Sequence, residues 1–490
     1  MRGELTSKAL RGGALSVSTK VANLVVGMGS LAILARLFTP AEYGQFGILM
    51  LITTICAALP TAIGQALIHE GSPDSKTTAS FTWIFLAVLM MTVCLLFAAR
   101  PALVTFFTKS LSPAEYNWLF LVAPLACICA YLDGRLSHAH RFEALAAGDM
   151  ALQILGSVLC TIGLSFFFNG VAALIGGTLC GYVIKLCIQT WALGISRNVP
   201  RPASFAPRLK SVAHFAAIHI ANYFGLYGDN LAVAKLLGSA ELGIYGRAYN
   251  LMSKPVMTLS GFITSVYFPL MVVAREDKQA FRSGYLKAMA FAAMVGLPLG
   301  VYLALASREI IAILMGETWL AAAVPFGILA AASYFRLAYR ITETVNLARN
   351  SLFNSVARQS LYGVMIVGGS VFGSRWGVTG VALAVAGALA IFFCVSLVKA
   401  NRTADCSIAA CLKISVPAAL GTVVATLIML VTWRTLGSDT TLMRLCESLS
   451  FWIVYGMYWV GACRLWPRDV TVGLLQSVMD RSRRMLAPQS

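Results

Sequence analysis

The chain has 490 residues, of which 58% are hydrophobic and 12% charged, with a mean hydropathy of +0.77 and a net charge of +18. A soluble domain carries about 25% charged residues, so too few polar side chains remain to cover a water-facing surface. Soluble enzymes, disordered chains and coiled coils are excluded, which leaves a polytopic membrane protein.

At ~20 apolar residues per spanning helix, fourteen spans take ~280 to 310 residues and leave only short loops. The first apolar stretch, 14–35, is too long for a signal peptide, contains Lys20 and leads directly into a second at 45–68. Spans at 79–99, 117–134, 148–168 and 172–194 complete a first group of six. The Pro-rich segment 198–207 reads as a linker. A second group follows at 213–236, 245–272, 284–306, 321–338, 355–374 and 377–398, and spans at 413–433 and 448–466 close the chain. Thr39-Pro40, Gly71-Ser72-Pro73, Asn169-Gly170 and Gly437-Ser438 supply turn signals at breaks. The expected organisation is all-α: an N-terminal lobe (1–196), a cytoplasmic linker (197–212), a C-terminal lobe (213–400), then two further spans with a basic tail (401–490).

With the amino terminus in the cytoplasm, 26 Lys and Arg fall on the inner side and 9 on the outer. The positive-inside rule then puts both termini inside. That bias accounts for the +18 without nucleic acid, and makes anionic lipid headgroups the partner of the inner surface. The twelve cysteines lie mostly in apolar segments with no C-x-x-C pair. They read as buried small hydrophobes rather than disulfides or zinc ligands, and no metal or cofactor is expected.

The segment 35–47 resembles 234–246 at an offset of 199, with Ala41/Ala240, Glu42/Glu241, Gly44/Gly243 and Gly47/Gly246 identical. The same offset pairs Asn23 with Asn222 and Gly29 with Gly228, giving nine identities over 22–47. Six spans separate the copies, so this is a parallel repeat of the kind found in secondary transporters. In span one, Ser16, Lys20, Asn23, Gly27 and Ser30 share a helical face. The equivalent positions in span seven are Phe215, His219, Asn222, Leu226 and Asp229. Polar groups at membrane depth are costly and face protein or water. The two stripes read as opposite walls of a central cavity, or as hydrogen-bonding glue between helices.

Three motifs in order carry a family resemblance. They are Arg36-Leu-Phe-Thr-Pro40-Ala-Glu42-Tyr43-Gly44, Arg141-Phe142-Glu-Ala-Leu145-Ala146, and Gly228-Asp229 through Gly238 continuing to Tyr245, Ala248, Leu251 and Pro255. This chain resembles bacterial polysaccharide exporters, the Wzx-type flippases of the multidrug/oligosaccharidyl-lipid/polysaccharide superfamily. The family often has a basic residue after the Asp, where this chain has Asn230. The resemblance implies alternating-access export, across the bacterial inner membrane, of exopolysaccharide, O-antigen or colanic-acid-type repeat units on undecaprenyl pyrophosphate. It also implies a polymerase and glycosyltransferases as pathway partners.

Such a cleft needs cations for the pyrophosphate and polar groups for sugars. The cavity candidates are Lys20, Asn23, Lys185, His219, Asn222 and Lys254. Snorkelling or ion pairing is the alternative for each lysine. Asp229 is the acid placed deep in a span, either pairing with Lys254 or acting as a proton switch. Arg336, Arg340 and Glu343 read as a cytoplasmic rim at the inner end of span ten, and Arg247 as an outer-side charge. No G-x-x-x-x-G-K-[ST] occurs, so the drive is a proton or sodium gradient, the substrate's own gradient or a partner. A drug or ion antiporter of the same fold is the alternative transporter, but it needs an acid-lined cavity. An enzyme is disfavoured by short outer loops without a catalytic constellation.

Overall fold

The computed structural model describes residues 27–71, 75–107, 112–168, 170–194, 206–263, 267–348, 352–436 and 440–465. Every regular element among them is helical. In chain order the main helices are α1 (Gly27–Leu37), α2 (Pro40–Glu70), α3 (Ser75–Phe106), α4 (Leu119–His138), α5 (Phe142–Ser165), α6 (Val171–Leu193) and α7 (Ala206–Leu236). They continue as α8 (Ser239–Phe262), α9 (Lys278–Leu305), α10 (Glu317–Ala348), α11 (Leu352–Gly373), α12 (Gly377–Thr403), α13 (Ile408–Leu436) and α14 (Ser450–Leu465). Short helices Pro113–Tyr116, Phe268–Val273, Ser307–Met315 and Thr441–Ser448 lie between them.

Nine described stretches are long and apolar enough to cross a bilayer. One, Ser360–Thr403, is 44 residues long; as a straight helix it would run about 66 Å, twice the hydrocarbon thickness. It is instead a hairpin of α11 and α12, turned at Ser374–Trp376, with the backbones of Gly373 and Gly380 against each other. α7 and α8 fall outside the nine although they have 31 and 24 residues. Their polar content is the reason: these two helices hold His219, Asn222, Asp229, Arg247 and Lys254. With α1 and the 16-residue α14, the helices account for the fourteen expected spans.

Helix starts follow from local chemistry. Thr39 caps α2, and Glu42 returns a bond to the Thr39 amide, with Pro40 in the first turn. Ser112, Pro113 and Glu115 repeat that arrangement before α4. Such a box supplies two of the unpaired first-turn amides with acceptors, and its cap is worth about 1 kcal/mol.

By packing, the chain forms two compact units. One holds Ala32–Gly246 and Val356–Val381; the other holds Arg247–Ser355, the chain from Ala382 and the start up to Leu31. These boundaries fall inside α1, α8, α11 and α12. The expected lobes follow the duplication instead, and they remain a proposal drawn from the repeat.

In the first unit, α2 packs on α4 and α7. The Tyr223 hydroxyl donates to the Leu51 carbonyl at 3.0 Å, and Arg208 reaches Glu70 and Thr77, each at 3.1 Å. The duplicated motifs meet here reciprocally. A Cβ on Gly44 would strike the Ser239 carbonyl, and a Cβ on Gly243 would strike the Pro40 carbonyl. Gly44 and Gly243 are repeat equivalents, as are Pro40 and Ser239, so the contact is an internal two-fold one. That close approach is the physical reason both copies carry glycine.

In the second unit, α9 packs against α10 and α13, and α13 against α14. The two terminal helices are held by an aromatic cluster of Phe451, Tyr455 and Trp459, and Tyr455 donates to the Met294 carbonyl at 2.7 Å. Large apolar side chains face outward, such as Met90, Leu95 and Phe97 on α3 and Leu420, Val423 and Leu427 on α13. Contiguous exposure of this kind marks a lipid-facing surface. The chain is a multi-pass membrane protein.

Candidate functional site

Each unit contributes a charged group inside its helices. In the first unit Lys185 on α6 is 5% exposed. Its ammonium donates to Asp133 Oδ2 on α4 at 2.8 Å and to Asp149 Oδ1 on α5 at 2.6 Å. Gln189, one turn further along α6, donates from Nε2 to Asp133 Oδ1 at 2.7 Å and to the Cys129 carbonyl at 3.2 Å. Gly148 leaves room for the lysine stem: a Cβ there would lie 3.2 Å from Lys185 Cγ. Lys185 thus ties three helices of one unit together.

Asp229 in the same unit is 2% exposed. Its Oδ2 accepts from the Tyr245 hydroxyl at 2.6 Å, and its Oδ1 from the Asn230 amide at 2.7 Å and side chain at 2.9 Å. Asn230 therefore serves as a neutral donor where the family pattern has a cation. His219 is half-buried on α7, and its Nε2 has no partner among the described residues. Asn222, one turn on, is also half-buried.

The second unit holds Lys254, half-buried on α8. Its ammonium donates to the Gly27 carbonyl of α1. Gly27 belongs to the polar stripe of span one, so Lys254 lies on the face that carries Lys20 and Asn23 in sequence; those two residues lie outside the described residues. An ammonium has three donors, and the other two of Lys254 find no acceptor among the described residues. Arg247 stands two turns earlier on α8, close enough to act on Lys254 electrostatically, with its guanidinium 6.0 Å from the Trp319 ring. Arg336 on α10 donates to the Tyr249 hydroxyl of α8 at 3.0 Å.

The structure brings together residues that the sequence kept apart. Asp133 and Asp149 stand at the ends of predicted spans, where an acid reads as a loop charge. Their signal was Lys185 nine residues inside span six, a depth that calls for counter-ions. Arg247 stands two turns inside α8 rather than at its end, since that helix begins at Ser239 and not near residue 245. Arg336 and Arg340 lie within α10, which runs on to Ala348 instead of ending near 338. Lys254 and Asp229 belong to different units, and their pairing remains a proposal. Among the described residues, no three His, Cys, Asp or Glu are placed to hold a metal.

Comparison with known families decides the class. Residues 33–324 match the family described as polysaccharide biosynthesis protein, more than half of the chain. The chain belongs to the polysaccharide biosynthesis protein family. Curated relatives include the teichuronic acid biosynthesis protein TuaB of Bacillus subtilis, 24% identical over 59% of this chain and 61% of the relative. The lipopolysaccharide biosynthesis protein WzxC of Escherichia coli is 24% identical over 64% and 65%. The match thus spans about three fifths of these relatives' lengths. Among solved structures the chain is similar to the lipid II flippase MurJ in an inward closed conformation. The TM-score is 0.74 at 16% identity, over 93% of this chain and 99% of that one. It is also similar to an inward-facing multidrug resistance MATE transporter of the MOP superfamily, with a TM-score of 0.62 at 15% identity over 78% and 94%. At these identities the likeness establishes the fold alone, shared with these two transporters.

Proposed function

We propose that this family member moves an oligosaccharide linked to undecaprenyl pyrophosphate across the bacterial inner membrane by alternating access, without catalysis. Both termini lie in the cytoplasm in this reading, and the polyprenyl tail stays in lipid. The observation that carries it is the cationic face of α8. Lys254 meets a backbone carbonyl and has no second acceptor among the described residues, with Arg247 on the same helix. An isolated ammonium in a membrane helix is costly, and a diphosphate is the ligand chemistry that relieves it. Lys20 and Asn23, on the same sequence stripe as Gly27, are the proposed further lining, where an ammonium and an amide suit phosphate and sugar hydroxyls, and His219 and Asn222 are the corresponding candidates of the other repeat copy. The glycosyltransferases and polymerase of the same pathway supply and consume the substrate.

Surface-polysaccharide export in cells relying on this protein tests the assignment. Lys254→Ala or Lys20→Ala, with insertion verified, removes a charge-assisted contact worth about 1.5–3 kcal/mol. Export falls by about 10- to 100-fold. Full export by both variants contradicts the cavity.

A further inference from the structure

Lys185 is shared by two carboxylates, so the cluster carries one negative charge in excess. Asp133 is the more enclosed of the two, at 31% side-chain exposure against 56% for Asp149. Uncompensated charge inside a helical bundle is costly. A second observation points the same way. Gln189 is 0% exposed, and its Oε1 is buried with no hydrogen-bond partner among the described residues while its Nε2 is occupied. Buried acceptors are nearly always paired. A carboxylate offers no hydrogen to that oxygen, whereas a neutral carboxyl offers one.

We propose that Asp133, Asp149, Lys185 and Gln189 form a proton-binding site, in which Asp133 takes the proton. Asp149 is the exposed member and meets the aqueous phase. The transferred proton leaves a hydronium as water and forms an O–H bond on Asp133 Oδ1. A half-turn of the Gln189 amide brings Oε1 to that hydrogen, in place of the Nε2 that otherwise meets Asp133 Oδ1 and the Cys129 carbonyl. Lys185 then keeps a one-to-one pair with Asp149, and the cluster is neutral. A metal cation does not fit this arrangement. The ammonium already fills the space between the carboxylates, at 2.8 and 2.6 Å, and hard cations require six or more oxygens.

The titratable groups facing the site are Asp133 and Cys129 from α4, Asp149 from α5, and Lys185 and Tyr182 from α6. The π-helical stretch Ala151–Cys160 of α5 brings only Cys160. α2 packs on α4 beside the site, with Gly64 against Gly134, and its titratable groups on that side, His69 and Glu70, lie more than a turn further along, Glu70 paired with Arg208; α2 meets α6 at the other end, around Ala173 and Leu174, where Glu42 lies against Gly170. The consequence is mechanical. With Asp133 charged, α4 is tied to α6 by an ion pair and a hydrogen bond to Gln189; with Asp133 neutral, the ion pair is lost and only hydrogen bonds to Lys185 and Gln189 hold the two helices there.

Infrared pH-difference spectra of the purified full-length protein test this without any transport substrate, so failure here leaves the export reading standing. The wild type gains a protonated-carboxyl C=O band as pH falls, and Asp133→Asn lacks that component. Asp149→Asn, a substitution at an exposed position, keeps the band. It moves the midpoint down by about one pH unit or more, because the repelling neighbour is gone. Three results overturn the proposal: identical spectra for wild type and Asp133→Asn, an unmoved midpoint in Asp149→Asn, or loss of the band on adding sodium at fixed pH. Should Asp133→Asn not fold, the Asp149→Asn midpoint and the sodium titration still decide it.

Discussion

Lys185 and Lys254 are both ammonium groups inside membrane helices, one in each compact unit, and their surroundings differ in sign. Lys185 is enclosed by two carboxylates and a buried amide. Lys254 has a backbone carbonyl and a cationic neighbour. Burial of a charge requires compensation, so Lys185 serves the bundle itself. Lys254 has no carboxylate partner among the described residues, and in the proposed function a diphosphate supplies the compensation. The same residue type inside a helix is thus ion-paired in one unit and set beside another cation in the other, and only its neighbours tell the two apart.

The largest way to break the comparison is Lys185→Met. It strands two carboxylates among three helices and costs about 3–5 kcal/mol, read as a lower melting temperature in detergent. Lys185→Met combined with Asp133→Asn and Asp149→Asn recovers most of that loss, since a neutral cluster of similar shape avoids the penalty. Lys254→Ala leaves the melting temperature nearly unchanged. Equal destabilisation of the two lysine variants refutes the distinction. A smaller effect comes from the repeat contact: Gly243→Ala forces α8 away from Pro40 and costs about 1–3 kcal/mol by overpacking. Gly44→Ala costs a similar amount, and a large asymmetry between them contradicts the reciprocal contact. The smallest is Gly148→Ala, whose added methyl meets Lys185 Cγ at 3.2 Å. The lysine gives way by a few tenths of an ångström, and stability falls by about 1 kcal/mol or less.

The helices were legible because apolar runs of spanning length have few alternative folds. Even α7 and α8, the least apolar, were found, since their polar residues recur at helical spacing rather than scattering. The repeat was legible as well, and the packing of Gly44 on Ser239 and of Gly243 on Pro40 supplies its cause. The acids around Lys185 were not legible, because hydropathy treats Asp133 and Asp149 as loop charges at span ends. Which helix faces Lys185 is a matter of packing. Arg247 was expected at the end of span eight and stands two turns inside α8 for a related reason: helices extend beyond their apolar segments, so a charge near a span end can still lie inside the helix. The division into lobes came from duplication, which packing in one conformation need not follow.

The central claim concerns what Lys254 and its neighbours bind. The most direct measurement reconstitutes the purified protein in liposomes with a fluorescent polyprenyl-diphosphate oligosaccharide in one leaflet, and follows its appearance in the other. The account predicts transfer well above protein-free liposomes, slowed about tenfold or more by Lys254→Ala and unaffected by a neutral sugar lipid added in excess. Transfer no faster than in protein-free liposomes, or equal transfer by Lys254→Ala, contradicts it.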